Sequence, residues 1–248
     1  MSKNCIITTI PAVIDNPSLE VLGQIEIENT TESNINYGVR TISGKTITAT
    51  LPNGTTITID AVDSSGWKYN FPPGVTKFKP FYNIGGIDAS YTSGVLKAKI
   101  KTSSLKYATG INRLVLNQGS YTMDFLDGDV AELSTLVNMT RLELRRQSTK
   151  LYGELKTLAP CKSLAYINLY LNTGITGTLE DFLKDQFELG RESGSITVEL
   201  GSSGVTFNGS GNNNKYVTFT SSGVNVYSDS AKTILIGSYT TNDGWVYP

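Results

Sequence analysis

Arg113, Arg141, Glu143, Arg145, Tyr166, Asn168 and Tyr170 carry the chemistry this sequence can offer. The chain contains no histidine. That removes every Ser-His-Asp, Cys-His and histidine–zinc scheme and leaves carboxylates, tyrosine, lysine or serine. Arginine and tyrosine are the side chains enriched where binding energy concentrates, so the arginines and tyrosines of this set point first to recognition of a partner. The bland reading is a solvated sheet face on which Glu143 neutralises its arginines. Glu143 and Glu199 could also act together, since two carboxylates hydrolyse glycosides without histidine. A second acidic group, Asp124, Asp127, Asp129 and Glu132, offers oxygens to a hard cation. Its spacing is not that of an EF-hand, and Asp127, Gly128 and Asp129 read more simply as a turn, with Asp129 capping a helix over 130–136. The glycines of Gly201-Ser-Ser-Gly204 precede neither a helix nor a Lys-Ser/Thr pair, so they do not make a phosphate loop. No cofactor is implied.

For these residues to act together, separate segments must align them, and the sequence repeats in a way that does so. Leu133, Leu136, Met139, Leu142 and Leu144 fall over Leu158, Cys161, Leu164, Ile167 and Leu169, each pair 25 positions apart. Leu151, Gly153 and Leu155 fall over Ile175, Gly177 and Leu179, now 24 apart. An earlier copy sets Leu114 and Leu116 28 positions before Leu142 and Leu144, and a later one sets Val198 and Leu200 31 positions after Ile167 and Leu169. A lone Leu-x-Leu strand cannot cover its own apolar face, but stacked copies make a continuous core. Cys161 lies in the column of Leu136 and reads as a small core residue.

If those aliphatic residues point inward, their neighbours point outward in three columns. The first is Arg113, Arg141, Tyr166 and Thr197. The second is Val115, Glu143, Asn168 and Glu199. The third is Asn117, Arg145, Tyr170 and Gly201. Glu143 and Glu199 are then two strands apart, about 9–10 Å at the usual strand spacing of about 4.8 Å.

The rest of the chain reads as β structure. Thr, Ser, Asn and Gly together make up 97 of the 248 residues, and charged residues only 17%. This is a composition of short strands and turns, and it argues against a bundle or coiled coil. The net charge of −1 argues against neutralisation of phosphates as the main task, hence against a nucleic-acid partner. No apolar run reaches the length of a membrane span. Two cysteines do not make a disulfide framework, and the opening residues lack the pattern of an export signal. The clearest hairpin spans 45–62: Ile47, Ala49 and Leu51 alternate with threonines, Pro52-Asn53-Gly54 turn the chain, and Ile57, Ile59 and Ala61 resume the alternation. Weaker strands are expected at 5–10, 19–28, 37–42, 66–71 and 95–101. Residues 69–81, with three prolines and three phenylalanines, read as a linker packed by aromatics. Thr178 is a helix N-cap, Glu180 and Asp181 suit the first turn, Leu179, Phe182, Leu183 and Phe187 share an apolar face, and Gly190 is the stop. Residues 201–214 read as a long loop or a Gly-rich strand pair. Residues 215–248 read as a β-meander with Trp245 and Tyr247 packed onto it.

The spacing of Leu164, Ile167, Leu169 and Asn172, continued by Ile175, Gly177 and Leu179, resembles the leucine-rich repeat. Gln147 and Gly119 stand where that family places asparagine in the two preceding copies. The resemblance implies a short solenoid of parallel strands with one clear helix (101–209); with the strand patterns on either side, the chain reads as mixed and β-dominated, with an N-terminal all-β docking domain (1–100) and a C-terminal β-meander or cap (210–248). The helical segment 176–194 and the phrase 133–144 are similar to leucine-rich-repeat proteins of tailed phages of gut bacteria and of their hosts. That resemblance implies a non-enzymatic virion protein, such as a head fibre, capsid decoration or tail component. It would be made in the host cytoplasm without an export signal and would be homo-oligomeric. Its partners would be other virion proteins and a host-surface glycan or protein. The alternatives are a bacterial cell-surface adhesin or binding module of the same repeat class and, more remotely, a carboxylate glycoside hydrolase.

Overall fold

A computed structural model describes residues 24–60, 68–89, 96–98, 100–117, 125–146, 150–209 and 214–248. The chain is β-dominated, with one long helix, and mixes parallel with antiparallel pairing. Its centre is a stack of coils. Each coil places one strand in a large sheet, one in a second sheet, and a short helical turn before the next large-sheet strand. In the large sheet Ile84–Asp88, Arg113–Asn117, Arg141–Arg145, Tyr166–Asn168 and Ser195–Glu199 run parallel. In the second, Ile100–Lys101, Leu126–Asp129, Leu151–Glu154, Ile175–Thr178 and Gly204–Thr206 are also all parallel.

The aliphatic alignment read from the sequence is the ladder register itself: Leu114 pairs with Leu142, Leu142 with Ile167 and Ile167 with Val198. All four are fully buried. The irregular periods have a local cause. The helical turn Leu155–Leu158 has 4 residues and its successor Leu179–Glu188 has 10, which accounts for the step from 25 to 31. In the second sheet the ladder slips relative to the sequence alignment, with Gly153 opposite Ile175. The bend at Gly153 (φ 120°) is also where a Cβ would lie 2.4 Å from Asp129 Oδ1 of the coil before, so the coils stack only without a side chain there.

The helix forms where the capping signals place it. Thr178 Oγ1 accepts from the Asp181 amide at 3.0 Å and donates to Asp181 Oδ2. At the other end the Gly190 amide bonds Phe187 O and the Arg191 amide bonds Gln186 O, with Gly190 left-handed: a Schellman termination. Leu179, Phe182 and Leu183 are buried, while Phe187 is partly exposed. Asn172 is buried and joins two coils, donating to Leu144 O and accepting from the Ile175 amide. Cys161 is buried, and its thiol donates to the Leu133 and Ser134 carbonyls.

Both ends of the parallel stack continue as antiparallel strands of the same sheet. On one side come Ile35–Thr41 and then Lys68–Phe71. On the other come Asn214–Thr220, Gly223–Tyr227, Leu235–Thr240 and Gly244–Val246, the expected meander. The sheet therefore crosses the positions near 100 and 210 without a break, and the coil stack begins at Ile84. A third, antiparallel sheet is formed by Thr56–Ile59, Ile47–Thr50, Gly74–Lys79, Ile25–Asn29 and Leu96–Ala98. It contains the 45–62 hairpin, with Ile47 opposite Ile59 and Ala49 opposite Ile57.

Three expectations are corrected. Residues 69–81 are not a linker: they contain Lys68–Phe71 of the large sheet and Gly74–Lys79 of the third, and Phe71, Phe78 and Phe81 are core. The backbone polar groups of a buried aromatic segment need partners, and strand ladders supply them. Residues 95–101 are not one strand, since Leu96–Ala98 and Ile100–Lys101 belong to different sheets. Asp127, Gly128 and Asp129 lie on a strand rather than a turn, although Asp129 does cap a 3-10 helix, Val130–Thr135, by accepting from the Ala131 amide. Residues 201–214 include the short strand Gly204–Thr206. The expectations for 5–10, 19–23, 61–62, 66–67 and 95, and those for Cys5, Gly119, Asp124 and Gln147, lie outside the described residues. Among the described residues, no helix is long and apolar enough to cross a membrane.

Candidate functional site

Cross-strand partners share a face of a sheet. The row read as Arg113, Arg141, Tyr166 and Thr197 exists as such, on four adjacent strands. All four side chains are partly exposed. The row extends beyond the sequence reading: Gly86 and Arg40 precede Arg113, and Tyr216 and Tyr227 follow Thr197.

The adjoining row, Asp88, Val115, Glu143, Asn168 and Glu199, is the expected second column extended by Asp88, but most of it is buried rather than solvated. Glu143 is 4% exposed, Asn168 2%, Val115 1% and Asp88 3%. Four members of this row are thus removed from water, while Glu199 stays partly exposed. A buried carboxylate must be paired, and each acid here has an assigned donor. Asp88 Oδ2 accepts from Arg113 at 2.8 and 3.2 Å. Glu143 Oε1 accepts from Arg141 Nε at 2.6 Å. Glu199 accepts from the Tyr166 hydroxyl and from Asn168 Nδ2, each at 2.6 Å. Asn168 Oδ1 then accepts from the Tyr170 amide at 3.0 Å. Asn168 stands between Glu143 and Glu199 in the row and bonds Glu199.

This buried row holds the exposed one in place. The Arg141 guanidinium, tied to Glu143, lies 4.1 Å from the centre of the Tyr166 ring. The Arg145 guanidinium lies 4.9 Å from the Tyr170 ring. Tyr170 follows the end of the Tyr166–Asn168 strand and takes the space at Gly201, where a Cβ would meet Tyr170 Cδ2. Two cation–π steps therefore run side by side on neighbouring coils. Burial, with the hydrogen bond to Glu199 second, pushes the Tyr166 phenol up to about 12, so it stays a donor at neutral pH. All seven residues singled out in the sequence lie on this one face. Arg40, Asp88, Tyr216 and Tyr227 were missed, because they come from strands outside the repeat and only the sheet register brings them alongside.

Of the second acidic group, the described members Asp127, Asp129 and Glu132 form no ligand cluster. Asp129 is used as a cap, Glu132 pairs with Lys106, and no three metal-ligating side chains come together among the described residues. A different buried charge sits on the helix: Glu180, 4% exposed, accepts from the Asn208 amide and the Tyr247 hydroxyl and pins the terminal aromatics to the coil stack. No protein-family model matches the chain, and no curated protein matches it in sequence.

Proposed function

We propose that the chain is a non-enzymatic structural or attachment protein of the leucine-rich-repeat type, and that the Arg/Tyr face of its repeat sheet is the surface it presents to a partner. The single observation that carries this is the buried row beneath that face. Buried Glu143 and Asp88 and partly exposed Glu199 bond the Arg141, Arg113 and Tyr166 side chains, and buried Asn168 holds the Tyr170 backbone amide, so the face is set before a partner arrives. Side chains held in place before a partner arrives lose little entropy on binding it. In this proposal the chain belongs to a virion, as a head fibre, decoration or tail component with a host-surface glycan or protein as partner; the likeness of 176–194 and 133–144 to leucine-rich-repeat proteins of tailed phages and of their hosts supports that reading.

The test replaces Arg141, Arg145, Tyr166 and Tyr170 by alanine, together with Glu143→Gln so that no buried carboxylate is left unpaired. Adsorption of particles carrying this variant, and binding of the purified chain to host envelopes, is expected to drop at least about tenfold with the fold intact. Unchanged adsorption and binding by a folded variant would sink the recognition face. Absence of the chain from purified particles would sink the virion setting and favour a cell-surface module.

A further inference from the structure

The exposed row changes character along its length. Arg40, Arg113 and Arg141 occupy one end, and Tyr166, Tyr216 and Tyr227 the other, with Gly86 and Thr197 between members. Adjacent strands lie about 4.8 Å apart, so the row is an extended track across the sheet rather than a pocket. At the arginine end Gly86 matters for what it lacks. A Cβ there would lie 2.7 Å from Arg40 Nε, so the Arg40 side chain passes over the glycine toward Arg113. The Arg113 charge, after burial, lowers the Arg40 pKa, which agrees with their closeness. Arg113 is paired with Asp88 and Arg141 with Glu143 of the adjoining row. At the tyrosine end the rings are partly exposed and flanked by Thr197, Thr218 and Asn225. No aliphatic side chain is exposed along the track: Val115 is buried, and the first exposed one is Leu235, past Tyr227. Planar rings with polar edges suit a ligand whose own rings have C–H faces and hydroxyl rims.

We infer that the track takes an extended acidic polysaccharide, with its anionic groups at Arg40, Arg113 and Arg141 and its sugar rings on Tyr166, Tyr216 and Tyr227. This rests on the recognition-face reading and narrows it to a ligand class. Carboxylates on the sugar rings meet guanidinium donors, which bind carboxylate in a planar, two-point fashion. The uncharged part of the chain stacks on tyrosine.

Three probes separate the possibilities in direct binding measurements on the full chain: polygalacturonate, neutral dextran and poly-glutamate. Polygalacturonate is expected to bind at least about tenfold more tightly than dextran, and to weaken with salt. Arg40→Gln, the double substitution Asp88→Asn with Arg113→Gln, and Gly86→Ala, which displaces Arg40, are each expected to reduce that advantage with the thermal melt retained. Tyr216→Ala is expected to weaken both polysaccharides. Dextran binding as tightly as polygalacturonate, with Arg40→Gln silent, would overturn the acidic ligand and leave the face. Poly-glutamate binding as tightly as polygalacturonate would assign an acidic protein segment instead. If none of the probes binds while the alanine variant of the preceding section loses adsorption, the polysaccharide is wrong and the face stands. If none binds and that variant adsorbs normally, both fall.

Discussion

Cys161 shows how a residue with reactive chemistry becomes inert through position. Burial pushes its thiol from near 9 up to about 12, and its proton is shared with backbone carbonyls of the preceding coil. Tyr166 and Tyr247 are pushed from near 10 up to about 12, first by burial and then by their bonds to Glu199 and Glu180. In the unfolded chain these groups ionise about two to three pH units earlier. Their contribution to stability is complete below pH 9, erodes as the unfolded thiol and phenols ionise, and is lost as the pH passes about 12. Arg191 acts in the opposite sense. Burial lowers it to about 10, so the folded state sheds that proton first and gains stability above that pH. Tyr37, Tyr69 and Tyr239 are raised too, and Arg40 and Lys215 lowered, so six acids stand against three bases and the urea midpoint is expected to be flat from neutral to pH 9 and to fall above it. Cys161→Ala, at some cost in baseline stability, is expected to delay the onset toward pH 10, where the phenols take over. An identical onset in the variant would show that the thiol plays no part in it.

At the scale of elements, the short helices and the joints between coils are held by single side chains. Thr178 satisfies an otherwise orphaned amide of the long helix, and Thr178→Ala is expected to cost about 1 kcal/mol in equilibrium unfolding. Asn172 is the stronger joint, because it is buried and serves one carbonyl and one amide on different coils. Asn172→Ala leaves both in the core without their partner, and a loss of about 2–3 kcal/mol is expected. Equal costs for the two substitutions would contradict this ranking. Arg191 has a related role at the helix end, where it donates to Gln186 and to the Leu164 carbonyl and lies 4.4 Å from the Phe219 ring. It ties the helix both to the coil beneath and to the first strand of the meander.

For the whole molecule, the decisive feature is that one sheet runs from Lys68–Phe71 to Gly244–Val246 through the coil stack. An open stack of coils ends in an unpaired strand and an exposed apolar section, and both are sources of aggregation. Here antiparallel strands close the two ends, and Tyr239 and Tyr247 bond Glu188 and Glu180 of the long helix. Unfolding followed by Trp245 fluorescence and by far-ultraviolet circular dichroism is therefore expected to give one coincident transition. Deleting 214–248 bares the Ser195–Glu199 edge, and the shortened chain is expected to aggregate in size-exclusion chromatography. Two separated transitions, or a monodisperse truncated chain, would show that the meander folds apart from the stack.

The sequence by itself determined whatever depends on local spacing. The repeated aliphatic residues predicted which strands are neighbours and, in the large sheet, their register, because a parallel stack buries equivalent positions on one another. Thr178 and Gly190 bounded the helix because capping is settled within a few residues, and Pro52-Asn53-Gly54 marked the hairpin for the same reason. All seven candidate residues reached one face by the same alternation. Tertiary structure alone decided how deep that face lies. Alternation tells which way Glu143 and Asn168 point, but whether water reaches them depends on arginine and tyrosine side chains from adjacent strands. It also decided that Arg40 meets Arg113 across Gly86, and that strands more than 150 residues apart in sequence lie in one sheet. Pairings of that kind are selected by burial over the whole core, and no local pattern encodes them.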